Sequence, residues 1–350
     1  MTAVLGAPSS TVDTVARGRV RRAARRRLVI TLLAVAVVVA FAVTLMVGRT
    51  FYPPGDVLRV VLGSDVPGAS FTVGLLRLPR AVLAVVAGLS FGLAGVTFQT
   101  MLRNPLASPD VIGITSGASA AAAFAIVILG WSGTAVSVTA IVSALGVALL
   151  IYTLAFKDGV AGTRLILIGI GVAAMCKSIT SYVLSKAGSW DFAEALRWLT
   201  GSLNGSTWEA TVPALVALLV FGPVLLGQTR ALSALQLGDD TASALGVRVE
   251  RTRIIAIVAA VGLLAFATAA CGPIAFVSFL AGPIAARLVG PNGSLLVPAA
   301  LVGALLVLVA DLCGQYAFGT RYPVGVITGV LGAPYLIYLI VRSNRTGGSL

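Results

Sequence analysis

Residues 228–253, QTRALSALQLGDDTASALGVRVERTR, interrupt a chain that is otherwise almost continuously apolar. Their pattern predicts two short helices. The first runs from about Arg230 to Leu237 and closes at Gly238; the second is capped by Asp239 or Asp240 and closes at Gly246. Glycine ends a helix because it reaches the left-handed conformation without a Cβ clash, and aspartate satisfies free backbone N–H groups at a start. Spans buried in lipid have no use for a small, charged, tightly capped knob, so this stretch lies in water between two groups of spans.

Outward from it, composition decides the class. Of 350 residues, 58% are hydrophobic and only 11% charged, and mean hydropathy is +1.02. Soluble domains run near ~45–50% apolar and ~25% charged, so this is an all-α polytopic membrane protein. The 39 glycines suit close helix packing in lipid, where small residues let backbones approach. Cys176, Cys271 and Cys313 fall inside apolar segments, where packing rather than a disulfide framework is expected. There is no histidine, which removes the commonest general base and metal ligand. No metal site, catalytic group or cofactor is expected.

A helix needs ~20 apolar residues to cross a bilayer. About ten segments qualify: 28–48, 81–101, 111–130, 134–156, 164–186, 209–227, 254–271, 273–289, 295–315 and 324–341. The domain reading is a basic arm over 1–27, a ten-span body over 28–341 and a short tail over 342–350. No cleavable signal peptide is apparent, since the first apolar run is of full spanning length behind a long basic arm. With the arm (Arg17, Arg19, Arg21, Arg22, Arg25, Arg26, Arg27) inside, ten spans return the tail to the same side. That arrangement puts 17 Lys/Arg inside, including Lys157, and 7 outside, with Lys177 in a span, so both termini are expected in the cytosol of a bacterial inner membrane. The net charge of +13 then reads as topology and contact with anionic lipid, with no nucleic-acid partner.

Arg103-Asn-Pro-Leu-Ala-Ser-Pro-Asp110-Val-Ile-Gly113 joins spans 2 and 3. Its two prolines forbid a continuous helix and force a rigid turn. Gln99 with this segment and Gly117-Ala118 resembles the iron-siderophore and cobalamin permease family of ABC importers. The likeness continues through Arg77-Leu-Pro-Arg80, Trp198-Leu-Thr-Gly-Ser-Leu203, Leu237–Gly246, Gly272-Pro-Ile-Ala-Phe-Val277 and Pro323-Val-Gly-Val326, in family order over roughly 28–341. GSLNGSTW and GDDTASALGV look most like the ferric enterobactin-type members.

The resemblance implies the type II ABC importer permease fold. It implies a second permease subunit (a related heterodimer partner, or a homodimer), two ATP-binding subunits, and an extracytoplasmic siderophore-binding protein as donor. Residues 228–253 match the coupling helices that seat in the ATPase, with Gly238, Asp239, Asp240, Ala242, Leu245 and Gly246 as contacts; Asp239 and Asp240 either cap the helix or pair with the partner. Arg77 and Arg80 match outward-facing arginines that receive the binding protein; snorkelling at the interface is the other reading. Where family members often carry an arginine after the Ala-Asp pair, this chain has Gln315 after Ala310-Asp311, with Arg321 as the nearby substitute. A second departure is Gly282-Pro283-Ile284 in place of Ala-Pro-His. Asn104, Pro105 and Leu106 match the cytosolic gate, or form a simple packed turn.

Lys177 lies in span 5 and Asp311 in span 9, and an ionisable group at that depth faces a partner or a cavity by default. Lys177, Ser181 and Ser185 share one helical face. They line a substrate path that attracts an anionic ferric chelate, or else Lys177 is paired with Asp311 or backbone carbonyls. Trp190, Trp198 and Trp208 fit an outer aromatic belt or an external gate.

Lysine occurs only at 157, 177 and 186, none of them in a G-x-x-x-x-G-K-[ST] loop, so ATP hydrolysis belongs to another chain. The expected function is ATP-driven import of a ferric siderophore by alternating access, with cobalamin or haem as alternative cargo. An ion-coupled secondary transporter has similar broken helices but no need of the 228–253 knob. A membrane scaffold would not explain a polar stripe on a central span.

Overall fold

The computed structural model describes residues 9–155, 162–290 and 293–346. Lys157, the first eight residues of the arm and the last four of the tail lie outside them. Helix α1 (Ser9–Met46) is followed by α2 (Pro54–Val61), a π-helical segment (Ser70–Arg77) and α3 (Leu78–Met101). Next come α4 (Pro109–Ile112), α5 (Ile114–Val127), α6 (Thr134–Ala155), α7 (Gly162–Leu184), α8 (Ser189–Leu199) and α9 (Trp208–Gly227). The chain continues with α10 (Thr229–Leu235), α11 (Asp239–Ala244), α12 (Val249–Cys271), α13 (Val277–Val289), α14 (Leu296–Tyr316) and α15 (Val324–Thr346).

Seven helices among the described residues are long and apolar enough to cross a membrane, and three shorter apolar ones (Ile114–Val127, Val277–Val289, Val324–Tyr338) complete the ten expected segments. Described residues of the basic arm run into span 1 as one helix: α1 is continuous from Ser9, about 57 Å at 1.5 Å per residue. Two boundaries differ from expectation. Span 3 does not begin at 111, because Gly113 at φ 96° breaks it into α4 and α5. Span 8 starts at Val277 rather than 273, with Phe276 held at φ 64° just before it.

Burial separates centre from periphery. The most apolar window of the helix ending at Met101 is 83% buried and that of α12 72%, against 22% for α6 and for α7. Glycine explains how α3 sits so deep. A Cβ at Gly88 would stand 2.5 Å from Ala304 Cα, and one at Gly92 would overlap the Ala299 carbonyl, so α3 and α14 meet backbone to backbone. Such contact takes the place of the hydrophobic drive that lipid cannot supply. On the next face, Gly262 of α12 receives the Phe221 ring of α9.

The interactions also sort the ends. Arg26 donates to the Ser294 carbonyl at the end where Arg103, Asp239 and Arg253 meet. At the other end Arg77 reaches Leu45, Met46 and Thr50, Tyr316 Oη donates to the Val47 carbonyl (3.3 Å), and Arg80 pairs with Asp311. The first is the arm end of the molecule and the second its rim end.

Candidate functional site

A cavity of about 950 Å³ opens along α4, α5, α7 and α13. Apolar atoms dominate its wall, through Leu106, Ile170, Phe276 and Phe279, with Ser108, Thr115, Ser116, Ser119, Thr180 and Ser181 as hydroxyls. Two ionisable groups stand on it: Lys177 and Asp110. Helical spacing carries Lys177 and Ser181 onto one wall, as their one-turn separation requires. Ser185 does not reach it; its Oγ donates to the Tyr182 carbonyl (2.7 Å) one turn nearer the rim. The alternative partner for Lys177 is also removed, since Asp311 is held elsewhere.

That holder is Arg80. Its Nε donates to Asp311 Oδ2 (2.9 Å), one terminal nitrogen to Oδ1 (2.7 Å) and the other to Asn204 Oδ1 (2.7 Å). Gln315, one turn along α14, adds Nε2 to Oδ2 (2.7 Å), which gives the departure at this position a local role. Asp311 is 2% exposed, so these donors are what make its charge tolerable. Arg77 likewise turns inward: it donates to the carbonyls of Leu45 (2.8 Å), Met46 (3.0 Å) and Thr50 (2.8 Å) and lies over the Tyr52 ring. Both arginines were expected to face outward. A fork of donors beside bare helix-end carbonyls, or beside a buried carboxylate, satisfies these groups instead. Arg321 remains exposed at the rim.

Three motifs distant in sequence converge there through glycine. Gly201 and Gly272, at φ 70° and 73°, pack against the carbonyls of Pro273 and Trp198, and Gly325 against that of Thr200. Ser202 N donates to Cys271 O (2.7 Å) and Gly325 N to Gly201 O (3.1 Å), so no side chain fits between the strands of loop. Amphipathic α8 borders this junction, with Trp190 89% exposed.

At the arm end, α10 anchors by Leu232 and Leu235. Helix α11 closes by paired bonds, Gly246 N to Ser243 O and Val247 N to Ala242 O, with Gly246 at φ 83°. Neither aspartate caps it: the N-cap is Gly238, at φ 107°, with no side-chain bond. Asp239 instead accepts two bonds from buried Arg253 (2.9 and 2.8 Å), a charge-assisted pair stronger than a cap, and a longer one from Arg103 (3.5 Å). Ala242, expected at a contact surface, is fully buried. The exposed face is Asp240, Ser243, Leu245 and Gly246, with Leu245 at 64%.

The turn after α3 begins at Arg103, φ 51°, whose guanidinium reaches Asp239. Asn104 Oδ1 accepts from Leu106 N (2.9 Å), closing the turn around Pro105 and leaving Leu106 on the cavity. Gln99 at the end of α3 donates to the Phe279 carbonyl (3.0 Å), and its amide lies on Gly282 where any side chain would overlap. That contact gives the Gly282 departure a physical reason.

Asp110 stands on the cavity wall in α4, and no local pattern in the sequence marks it. Its Oδ2 is inaccessible and without a hydrogen-bond partner. Burial pushes its carboxyl up to about 6, against the opposing pull of the Thr115 and Ser108 hydroxyls.

Comparison with known proteins agrees in extent and in fold. The profile of the FecCD transport family matches residues 34–342. The ferric enterobactin transport system permease protein FepG of Escherichia coli is 41% identical over 325 residues, 91% of this chain and 98% of the relative. A second such protein of that organism, FepD, is 34% identical over 316 residues, 89% and 94% of the two chains. Among solved structures, a metal-chelate type ABC transporter in an inward-facing conformation superposes with a TM-score of 0.81 at 27% identity, covering 90% of this chain and 99% of that one. With the ten apolar helices, the deep glycine contacts and a match over nearly the whole chain in hand, the chain belongs to the FecCD transport family.

Proposed function

We propose that this chain is the permease subunit of an ATP-driven importer that carries a ferric siderophore inward through the cavity beside Lys177. The observation that carries this reading is the pairing of that cavity with the exposed knob at the arm end. The cavity has the apolar wall, hydroxyls and single lysine that suit a bulky anionic chelate. The knob presents Leu245 and Gly246 outward, while Asp239 ties its base to α12 and to the turn that sets Leu106. A push on α11 therefore reaches the cavity mouth through covalent and ionic connections.

In this reading the arm end is cytosolic, in a bacterial inner membrane, and α11 seats on one of two separate ATP-binding subunits. The chain supplies one wall of the path and a second permease the other. FepG and FepD, two permease proteins of one ferric enterobactin system, support a related but different partner. A binding protein delivers cargo at the rim, where Arg321 is exposed; Arg77 and Arg80 shape that rim from within. Iron travels in its chelator and is cargo.

The test is uptake of labelled iron as several ferric siderophores, with labelled cobalamin in parallel, in cells lacking this chain and in complemented cells. Loss of a ferric-siderophore signal, restored by the intact chain but not by one with 238–246 scrambled, supports the reading. Loss of cobalamin uptake alone overturns the cargo.

A further inference from the structure

Asp110 is the ionisable group on the path that the proposed function leaves unused. A buried carboxylate oxygen without a donor is costly, and folded proteins rarely leave one so; Oδ2 of Asp110 is such an atom. Its place is set by glycine: a Cβ at Gly113 would lie 3.0 Å from the Gly169 carbonyl and 3.1 Å from Ala173 Cβ, so α4 lies directly on α7 at that level. Lys177 is four to eight residues further toward the rim, about 6–12 Å along the helix. Moving from rim to arm end, cargo meets Lys177, then Asp110, then the turn that begins at Arg103.

The elements packed around Asp110 carry few other charges. Helix α7 carries Arg164 in its first turn, then Cys176 and Lys177; α5 and the adjacent end of α3 offer none, and α13 offers Arg287, whose guanidinium lies over Tyr335 and Tyr338 of α15. Asp110 and Lys177 are thus the two charges on the cavity wall. A path must bind cargo well enough to admit it and weakly enough to let it go. A carboxylate on the same wall opposes the pull of the lysine on a polyanion, which serves the second requirement.

We propose that Asp110 is a cargo-selecting residue that, when ionised, weakens the hold of the cavity on an anionic chelate drawn in by Lys177. This rests on the ferric-chelate reading above. Protonation removes the repulsion, so the effect is present at pH above about 6 and fades below it.

The test uses the complete transporter in proteoliposomes, with a trianionic ferric tris-catecholate below saturation as probe. The quantity read is the uptake rate of Asp110→Asn divided by that of the parent, across pH; this ratio cancels effects of pH on the ATPase, the donor protein and the chelate. The expected ratio is several-fold above one at about pH 7.5 and falls to one near pH 5, with Asp110→Glu following the parent. A ratio that is constant with pH, or not above one at pH 7.5, overturns the proposal while leaving the transport reading intact. Parent vesicles that import no ferric chelate overturn the transport reading and this proposal together. Asp110→Ser provides the same comparison if Asp110→Asn does not accumulate, and failure of both assigns the carboxyl to folding and overturns the proposal.

Discussion

Single side chains at the rim and on the path have separable roles. Arg80 neutralises a carboxylate that is 2% exposed. Arg80→Ala leaves Asp311 with Gln315 alone, and the expected cost is about 3 kcal/mol, read as lower thermal stability of the purified complex. Arg80→Leu with Asp311→Leu should recover most of that loss, because no bare charge remains; if the double variant is as unstable as the single one, desolvation is not the cause. Lys177 has no such duty. Lys177→Met should slow uptake of an anionic chelate several-fold while the complex assembles normally, and loss of the assembled complex would instead make the lysine structural. Asp110 also links stability to pH. Its folded pKa, about 6, lies above the unfolded value of 3.8, so folding favours the neutral form. The stability this confers is present below about pH 4 and lost as pH rises towards 6. Asp110→Asn should therefore raise the melting temperature at pH 7.5 and change it little at pH 4.

Among the elements, α3 and α11 make opposite demands on their side chains. Helix α3 needs absence: at Gly92 an added methyl meets the Ala299 carbonyl. Gly92→Ala should cost about 1–3 kcal/mol by forcing α3 from α14, measurable as a lower melting temperature and reduced yield of complex. Helix α11 needs presence on one face. Leu245 is 64% exposed and supports nothing inside the chain, so Leu245→Asp should leave folding unaltered yet abolish iron uptake and uncouple ATP hydrolysis from transport. Ala242, on the hidden face, would register any enlargement as instability. The helix pair was readable from its two glycines, because φ values of 107° and 83° are open to few other residues. What holds it in place was not. Asp239 looks like a cap from its position, but Arg253 lies one helix later and Arg103 far upstream, and no local pattern links the three.

Across the whole molecule, ends and centre are set by different kinds of information. Hydropathy determined the ten segments, because lipid imposes length and satisfied backbone on every span. Local rules reached the closures at Gly238 and Gly246 but not the break at Gly113, and the motif order reached the family. Tertiary structure alone decided which helices are central, since α3 and α6 are equally apolar yet differ fourfold in burial, and apolarity in lipid carries no information about partners. It also decided where the charges go. Arg77 and Arg80 turn inward, Asp311 finds Arg80 rather than Lys177, and Asp110 is left on the cavity with one oxygen unpartnered. A charge pairs with whatever the fold brings within about 3 Å, and between residues 231 positions apart that is fixed by packing rather than by spacing.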